Sequence, residues 1–343
     1  MILPQSPRRR LNGNEFGGGV IDWGYILRRA WEITWGRKVL WLFGFLIGLG
    51  TVSTRFAPSG GRWERIAREL PPDVQRVVSD FLSTPYFTIM IVLLVLSGLV
   101  LGVGLALLGA LGRAALVDQV QAAEDRGVVS LQAGWQAGRL HMWSIFLIRL
   151  LLGLPLALLT MVGALPALGT ALLIAGQEQP GVVIPGMLGV ELALFVCLLP
   201  AVCLAILLSI PFGLLQELAV RACVLEGSDV RSSIALAWAM LQKHVGPLMI
   251  VWLIVLGVEV GKVILIILPS VLAVMVLTMG ALLTVLVSPL LFTALALLIG
   301  LLAWLVGAAV NSVVETFTSA VWTLAYRELM GLGLTGEEEA PIV

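Results

Sequence analysis

The chain has 343 residues, of which 59% are hydrophobic and only 12% carry a charged side chain. Soluble domains carry about 25% charged residues, so this composition excludes an ordinary soluble protein and indicates an integral membrane protein. The 21 Lys and Arg residues balance the 21 Asp and Glu residues, which excludes the basic field of a nucleic-acid-binding protein, and we expect no nucleic acid among the partners.

The N-terminal region leads into the first membrane span. Residues 1–20 are rich in Gly, Pro and Asn and contain three consecutive Arg without an apolar core, so we expect a flexible cytoplasmic segment rather than a signal peptide. Asp22 is placed to cap a helix that begins near Trp23. The apolar run 39–52 begins the first span, although it is shorter than the roughly 20 residues that a bilayer requires.

Three similar stretches, which we call the Trp stretches, precede apolar runs. They read RRAWEITWGRKVLW from Arg28, SLQAGWQAGRLHMW from Ser130 and SIALAWAMLQKHVG from Ser233. Aligned on their Trp residues, which are 104 and 103 positions apart, they share a small residue before the Trp and a basic or titratable residue six positions after it. These six residues are Trp31, Arg37, Trp135, His141, Trp238 and His244.

We predict that the Trp stretches are amphipathic helices at the membrane interface. Trp is enriched at the headgroup level, and a neighbouring basic side chain can reach the lipid phosphates. The six aligned residues are therefore candidate interfacial lipid anchors, although any polytopic protein carries Trp at its interfaces. Both His residues of the chain occupy equivalent positions in this set, so we expect them to anchor rather than to catalyse.

The remaining apolar runs predict five further spans. We place them at about 86–111, from 142, from 187 to beyond 211, at 247–268 and at 288–325. Residues 269–290 are expected to form a shallow or re-entrant connector, with a seventh span as the alternative. Residues 55–84 show helical spacing of apolar residues and predict two short amphipathic helices, which form either a packed extracytoplasmic lid or a ligand-gathering surface.

Together these elements predict an all-α fold, a polytopic transmembrane helical bundle of about six spans in three repeated units, each an amphipathic helix followed by a hairpin. The units cover about 21–115, 128–223 and 231–328 within a single transmembrane domain at 21–329, and an acidic tail follows at 330–343. Fourteen Lys and Arg residues lie on the side of the Trp stretches and five lie in the 55–84 loop, so both termini are expected in the cytoplasm.

Ionisable side chains within the predicted spans mark candidate functional positions, because each is costly in the membrane unless it is paired. The predicted depths of Arg149 and Glu315 suggest a pair, with Glu217 as the competing partner for Arg149. Glu259 and Lys262 lie three residues apart on one helix and are expected to neutralise each other. The candidate buried polar cluster comprises Arg149, Glu217, Glu259, Lys262, Asn311 and Glu315. We interpret it first as ion pairs that fix helix packing, then as a substrate or proton path, and last as a catalytic group.

No catalytic, cofactor-binding or metal-binding set is predicted. Cys197, Cys203 and Cys223 are expected to be buried small hydrophobes, and no zinc-type ligand spacing is present. Five GxxxG motifs occur among the 37 Gly residues, close to the roughly four that chance produces, so they allow close helix approach without proving a dimer.

The stretches RRAWEITWGRKVLWLFGFL, RACVLEGSDVRSSIALAWAMLQKHVG and FTSAVWTLAYREL resemble a bacterial six-helix membrane protein family. That family includes the membrane domain fused to some glycerophosphoryl diester phosphodiesterases, together with many uncharacterised members. The resemblance covers nearly the whole chain and implies a multi-pass module of a bacterial plasma membrane, sometimes accessory to lipid metabolism, with no established catalytic residues. No stretch alternates strands and helices with clustered Glu, Asp and His, so the phosphodiesterase barrel has no counterpart and we expect no diesterase activity.

The leading functional hypothesis is a non-catalytic membrane module that binds membrane lipids or another membrane protein, without a metal or a cofactor. The alternative is a small transporter or exporter that uses the candidate polar cluster, and a membrane-embedded lipid enzyme comes third. A transporter predicts a polar cavity at mid-depth that contains Glu259 or Glu315. The module predicts a dry interior and a lipid groove beside Trp31, Trp135 and Trp238.

Overall fold

The computed structural model describes residues 21–52, 85–175, 183–284 and 289–331. Within these ranges all regular secondary structure is helical. The eight helices found there are α1 (Trp23–Gly36), α2 (Val39–Val52), α3 (Pro85–Arg126), α4 (Leu131–Ala175), α5 (Val183–Glu226), α6 (Val230–Lys243), α7 (Val245–Thr284) and α8 (Pro289–Leu329).

Five of these helices, α3, α4, α5, α7 and α8, are long and apolar enough to cross a membrane. They contain 40 to 45 residues. At 1.5 Å per residue this is roughly 60–68 Å, about twice the thickness of a hydrocarbon core. A shorter apolar helix, α2, coincides with the predicted first span. The predicted all-α membrane bundle is confirmed, and its six spans correspond to five long helices and one short one.

The start of the first Trp stretch follows the prediction. The carboxylate of Asp22 accepts a hydrogen bond of 3.0 Å from the backbone N–H of Tyr25, which is the contact expected of an N-cap. Two non-helical residues separate the end of α1 from the start of α2. The indole N–H of Trp41 donates to the carbonyl oxygen of Thr34 at 2.9 Å, and this bond ties the start of α2 to the end of α1.

Two predicted boundaries are wrong. The second Trp stretch does not end before the third span, because residues 131–150 contain no Pro and continue as one helix, α4. Residues 269–284, predicted as a connector, continue α7 through Pro269. Pro269 removes only one backbone donor, whereas an apolar run in lipid must satisfy all its other amides internally, which favours an unbroken helix.

Some predictions lie outside the described residues. These are the flexible N-terminal segment, the 55–84 lid and the acidic tail beyond residue 331. The described chain divides into two compact units. Among the described residues, the first unit comprises 21–30, 144–175, 183–257 and 320–331, and the second comprises 31–52, 85–143, 258–284 and 289–319.

Burial changes along the long helices. In α3, large apolar side chains from Ile89 to Leu101 are exposed, whereas Ala114 to Val117 are buried. In α8 the order is reversed, since Leu297 to Val306 include exposed Leu, Trp and Val side chains and Ala320 to Tyr326 are buried. Exposed apolar surface of this extent is unfavourable in water, so these outer parts of the helices are the ones suited to lipid.

Three long helices end in the same way. Gly127, Gly227 and Gly331 follow α3, α5 and α8, and their φ angles are 69°, 61° and 66°. A positive φ is readily adopted by Gly and strained for other residues, and Gly after a helix lets the chain leave the helical path. The three glycines are therefore a repeated feature of the chain that the alignment on Trp did not include.

Candidate functional site

In the second unit, α2 and α8 meet at backbone contact. A Cβ atom on Gly48 would lie 2.7 Å from Nδ2 of Asn311, and one on Gly44 would overlap the carbonyl oxygen of Ser312. The Ser312 hydroxyl also donates a hydrogen bond to the carbonyl oxygen of Trp41. This GxxxG motif therefore acts as a helix-packing face, as small residues do between membrane helices.

Helices α3 and α4 join α2 at the same level. A Cβ atom on Gly112 would lie 2.9 Å from the carbonyl oxygen of Phe43, and one on Gly138 would lie 2.8 Å from that of Leu111. Small residues thus bring four helices of this unit together. We call this level the glycine layer and define it by Gly44, Gly48, Gly112, Gly138 and Asn311.

A polar group brings α7 to the glycine layer. The ammonium group of Lys262 forms an ion pair with Glu259, and its Nζ lies 3.3 Å from Oδ1 of Asn311. The Lys262 side chain is only 7% exposed, while that of Glu259 is 37% exposed. The ion pair expected from the three-residue spacing is present, and Asn311 adds a contact from α8 that spacing could not reveal.

The glycine layer separates the polar parts of these helices from their apolar parts. Beyond it, residues 85–111, 263–284 and 289–310 contain no Asp, Glu, Lys, Arg or His. Segments of 22 to 27 residues are roughly 33–40 Å long, enough to cross a hydrocarbon core of about 30 Å with some tilt. The layer therefore marks one edge of an apolar belt in the second unit, and Lys262 lies at that edge.

Two of the predicted Trp anchors lie just outside this edge. Trp31 packs edge-on against Phe317, with ring centroids 6.1 Å apart. Phe317 is six residues beyond Asn311 on the polar side, or roughly 9 Å along α8. Trp135 precedes Gly138 by three residues on α4, or roughly 5 Å. The headgroup region of a bilayer is about 5–8 Å deep on each side, so the distance of Trp135 from the belt edge falls within this depth and that of Trp31 is slightly larger.

The basic partners of these two Trp residues make contacts within the protein. The guanidinium group of Arg37 donates to the carbonyl oxygen of Gly127 at 2.9 Å, so the first Trp stretch is tied to the end of α3. Nδ1 of His141 lies 3.1 Å from the carbonyl oxygen of Ala137 on its own helix. Part of the hydrogen-bonding capacity predicted for lipid phosphates is therefore used by the backbone.

The third Trp stretch forms α6 in the first unit. Trp238 is exposed, while Ala237, Met240 and Leu241 are buried on the other side of the helix. His244 ends α6, and its backbone N–H donates to Met240 at 2.9 Å. Burial, and secondly the positive charge of Lys243, lower the pKa of His244. A lowered pKa disfavours the charged imidazolium, so it weakens the charge attraction predicted between His244 and a lipid phosphate.

The first unit contains a second polar cluster, which joins α5 to α8. Arg221 is nearly fully buried, donates to the carboxylate of Glu217 at 2.7 Å and lies 5.6 Å from the ring centroid of Trp322. One turn further along α8, the hydroxyl of Tyr326 donates to Glu226 at 2.6 Å. The four-residue spacing of Glu217 and Arg221 indicates an ion pair from the sequence alone. Our prediction named Glu217 only as a partner for Arg149.

The remaining members of the predicted polar cluster are half-buried. Arg149 is eleven residues beyond Gly138 on α4, roughly 16 Å in the apolar direction of that helix. Glu315 is four residues from Asn311 on the polar side of α8, roughly 6 Å outside the belt edge. They belong to different units, and the Arg149–Glu315 pair stays a prediction.

An apolar cavity of about 260 Å³ opens between α7 and α8 on the belt side of the glycine layer. Its lining residues are Leu265, Ile266, Pro269, Ile299, Leu302, Ala303, Val306, Gly307 and Val310. All are apolar, so this cavity is not the polar one that a transporter predicts with Glu259 or Glu315. It also differs in place from the predicted groove beside the Trp residues.

Metal-ligating side chains are dispersed in the part of the chain that the structure describes. No group of three or more His, Cys, Asp or Glu residues within it could hold a metal ion. Cys223 is buried as predicted, but Cys203 is exposed on the apolar part of α5, where large neighbours such as Leu204 and Leu207 are exposed too. The Cys197 side chain lies outside the described residues.

In comparisons with known proteins, no family model, no curated protein and no solved structure matches this chain. The resemblance to the bacterial six-helix family stays a prediction. The functional argument therefore depends on the geometry of the glycine layer, the Trp stretches and the apolar cavity.

Proposed function

We propose that the protein is a non-catalytic membrane module that holds membrane lipids at one interface through its three Trp stretches. The observation that carries this proposal is the exposure of the equivalent Trp in each stretch, which is 56% for Trp31, 40% for Trp135 and 50% for Trp238. Each of these residues lies on a helix that buries other residues. The exposed indoles are therefore available to a ligand outside the protein.

The position of these indoles favours lipid as that ligand. Trp combines a large apolar body with one N–H donor, which suits the boundary between hydrocarbon and headgroups. Trp31 and Trp135 lie roughly 5–9 Å outside the belt edge by helix rise, where that boundary is expected. The excess of Lys and Arg on this side of the sequence supports a cytoplasmic position for the three Trp stretches.

The cavity and the ion pairs favour a binding module over a transporter. The cavity between α7 and α8 is lined by apolar residues alone. Glu259 is neutralised by Lys262 at the edge of the belt instead of lining a path across it. A lipid-related accessory role is also what the resemblance to the bacterial six-helix family implies.

The test removes the exposed indoles together. In the variant Trp31→Ala/Trp135→Ala/Trp238→Ala, we expect fewer phospholipids per chain after a mild detergent wash. The count is made by native mass spectrometry on protein taken from phosphatidylglycerol and phosphatidylcholine vesicles. The control is Trp304→Ala, which removes an exposed Trp residue outside the three Trp stretches, and it should retain more lipid than the triple variant.

Equal retention by the two variants would contradict the role of the Trp stretches. Absence of any bound phospholipid on the wild-type protein would contradict lipid binding altogether. A protein partner co-purifying with the wild type and lost only from the triple variant would replace lipid as the ligand.

A further inference from the structure

We infer that the apolar cavity between α7 and α8 is a groove for one acyl chain of a membrane phospholipid, whose oxygen atoms are held at Lys262. This inference rests on the proposed function, because it assumes a module that binds lipid. It adds a specific site, separate from the Trp stretches, and names the ligand that the site takes.

The dimensions of the groove match one leaflet. Its wall on α8 extends from Val310 to Ile299, which is roughly 16 Å along the helix. Half of a hydrocarbon core is about 15 Å. The groove begins next to the belt edge, since Val310 precedes Asn311 directly. A chain placed along it would therefore run from the headgroup level to the middle of the membrane.

In the described part of the chain, the polar side chains next to the groove lie at one of its ends. Lys262 lies one turn before the lining residues Leu265 and Ile266 on α7, and Asn311 follows Val310 on α8. Both polar residues therefore lie at the same end, where their side chains are in contact. An apolar channel with hydrogen-bonding groups at one end matches a molecule that has a hydrocarbon chain and oxygen atoms at its head.

Lys262 can offer a further hydrogen bond to such a molecule. An ammonium group has three N–H donors. Within the described residues, Glu259 and Asn311 provide acceptors for two of them. An ester or phosphate oxygen of the lipid would be the third acceptor, and a charge-assisted bond of this kind is stronger than one between neutral groups.

The groove is open to the bilayer and has room for a ligand. Leu265, Leu302 and Val306 on its walls are more than half exposed, so a chain can enter from the side. A Cβ atom added to Gly307 would meet no heavy atom within 4 Å. The described residues therefore leave space beside Gly307, and surrounding phospholipid is the apolar molecule that can fill it.

The test fills this space with a side chain. Gly307→Phe should block the groove, whereas Gly98→Phe on α3 is the control, because Gly98 also has open space around it and does not line the cavity. Protein from phosphatidylglycerol and phosphatidylcholine vesicles is washed with detergent until the wild type keeps its last phospholipid. Occupancy of that lipid should fall at least about tenfold in Gly307→Phe, since the loss of two buried methylene groups suffices, and stay unchanged in Gly98→Phe.

The outcomes separate this inference from the proposed function. Equal occupancy in wild type and Gly307→Phe would overturn the groove and leave lipid binding at the Trp stretches intact, whereas no retained lipid on the wild type would overturn both. A retained species with the mass of a free fatty acid would overturn the phospholipid assignment. Should Gly307→Phe fail to fold, a phospholipid with a diazirine on its acyl chain provides the test on the wild type. It must label Leu302 and Val306 above Leu298, and equal labelling would overturn the groove.

Discussion

At the scale of single residues, the position of Lys262 explains how a charged side chain is kept in a helix as apolar as α7. It lies at the edge of the apolar belt, contacts Glu259 and Asn311, and has its aliphatic stem covered. A charge near the interface is much less costly than one at the membrane centre. The polar group is therefore compatible with a stable helix pair and requires no transport function.

The first prediction concerns the ion pair of Lys262. Lys262→Met should lower the free energy of unfolding by about 1–3 kcal/mol, less than for a fully buried pair because Glu259 is partly exposed. Adding Glu259→Gln should restore part of this loss, since it removes the carboxylate left without its cation. Unfolding in detergent micelles, followed by circular dichroism, measures both. Strictly additive losses in the double variant would contradict a coupled pair.

The second prediction concerns the pH dependence contributed by His244. Its pKa is lowered in the folded protein, so the unfolded chain binds the proton first as the pH falls below the ordinary His value of about 6.5. The free energy of unfolding of the wild type should therefore fall relative to that of His244→Gln as the pH is lowered from 7.5 to 5. Thermal unfolding of both proteins across this range measures this change, and a wild type that gains stability relative to the variant towards low pH would contradict the prediction.

At this scale, the sequence predicts a contact when the two residues are close to each other along the chain. The Glu259–Lys262 pair follows from helix periodicity, and the Asp22 cap follows from its place before α1. The contact of Lys262 with Asn311, 49 residues away, needs the packing of α7 on α8. Periodicity contains no information about which face of one helix meets another.

At the scale of helices, glycine has two distinct uses in this protein. Gly127, Gly227 and Gly331 end helices with positive φ, whereas Gly44 and Gly48 allow α2 to approach α8. Ala is expected to destabilise the protein in both uses, through backbone strain at positive φ and through overlap at the α2–α8 contact, whereas it is favoured inside a helix with free space.

The third prediction compares Gly213, which lies inside α5, with Gly227, which follows the end of α5. Gly227→Ala should lower the free energy of unfolding by roughly 1 kcal/mol, because Ala must adopt a left-handed conformation there. Gly213→Ala lies inside the helix, where an added Cβ meets nothing within 4 Å, and it should be neutral or stabilising. Chemical unfolding in micelles measures both, and equal effects would contradict the assigned role of Gly227.

The fourth prediction compares two GxxxG motifs. Gly44→Ala should destabilise the protein by about 1–3 kcal/mol, because its methyl group overlaps the backbone of α8 and forces the helices apart. Gly98→Ala, in a motif with open space around it, should have no such cost. The same unfolding assay applies, and a loss for Gly98→Ala as large as for Gly44→Ala would contradict the distinction.

The sequence could not distinguish these motifs from one another. Gly44/Gly48 and Gly134/Gly138 pack closely, whereas Gly98/Gly102 and Gly257/Gly261 have no neighbouring atom within 4 Å of an added Cβ, and all share one spacing. Close approach depends on the partner helix as much as on the motif. Conversely, the existence of the helices was predictable, because apolar runs of this length have few alternatives in a membrane.

At the scale of the whole molecule, the length of the helices changes the interpretation of the buried charges. Each long helix contains about twice the residues needed to cross the hydrocarbon core. Charges such as Glu259 and Glu315 can therefore lie within an apolar helix yet outside the belt. The sequence does not reveal this position, because it shows where apolar runs begin but not the level at which helices pack.

The position of the belt edge is the central claim, and nitroxide labels test it most directly. In a background without Cys197, Cys203 and Cys223, single labels are placed at Leu96, Trp135 and Asp125, and their accessibility to oxygen and to a water-soluble nickel complex is measured in phospholipid vesicles. We predict high oxygen and low nickel accessibility at Leu96, intermediate values at Trp135 and high nickel accessibility at Asp125, with the crossover on α3 near Gly112. A water-accessible Leu96, or an Asp125 label as deep as Leu96, would contradict the account.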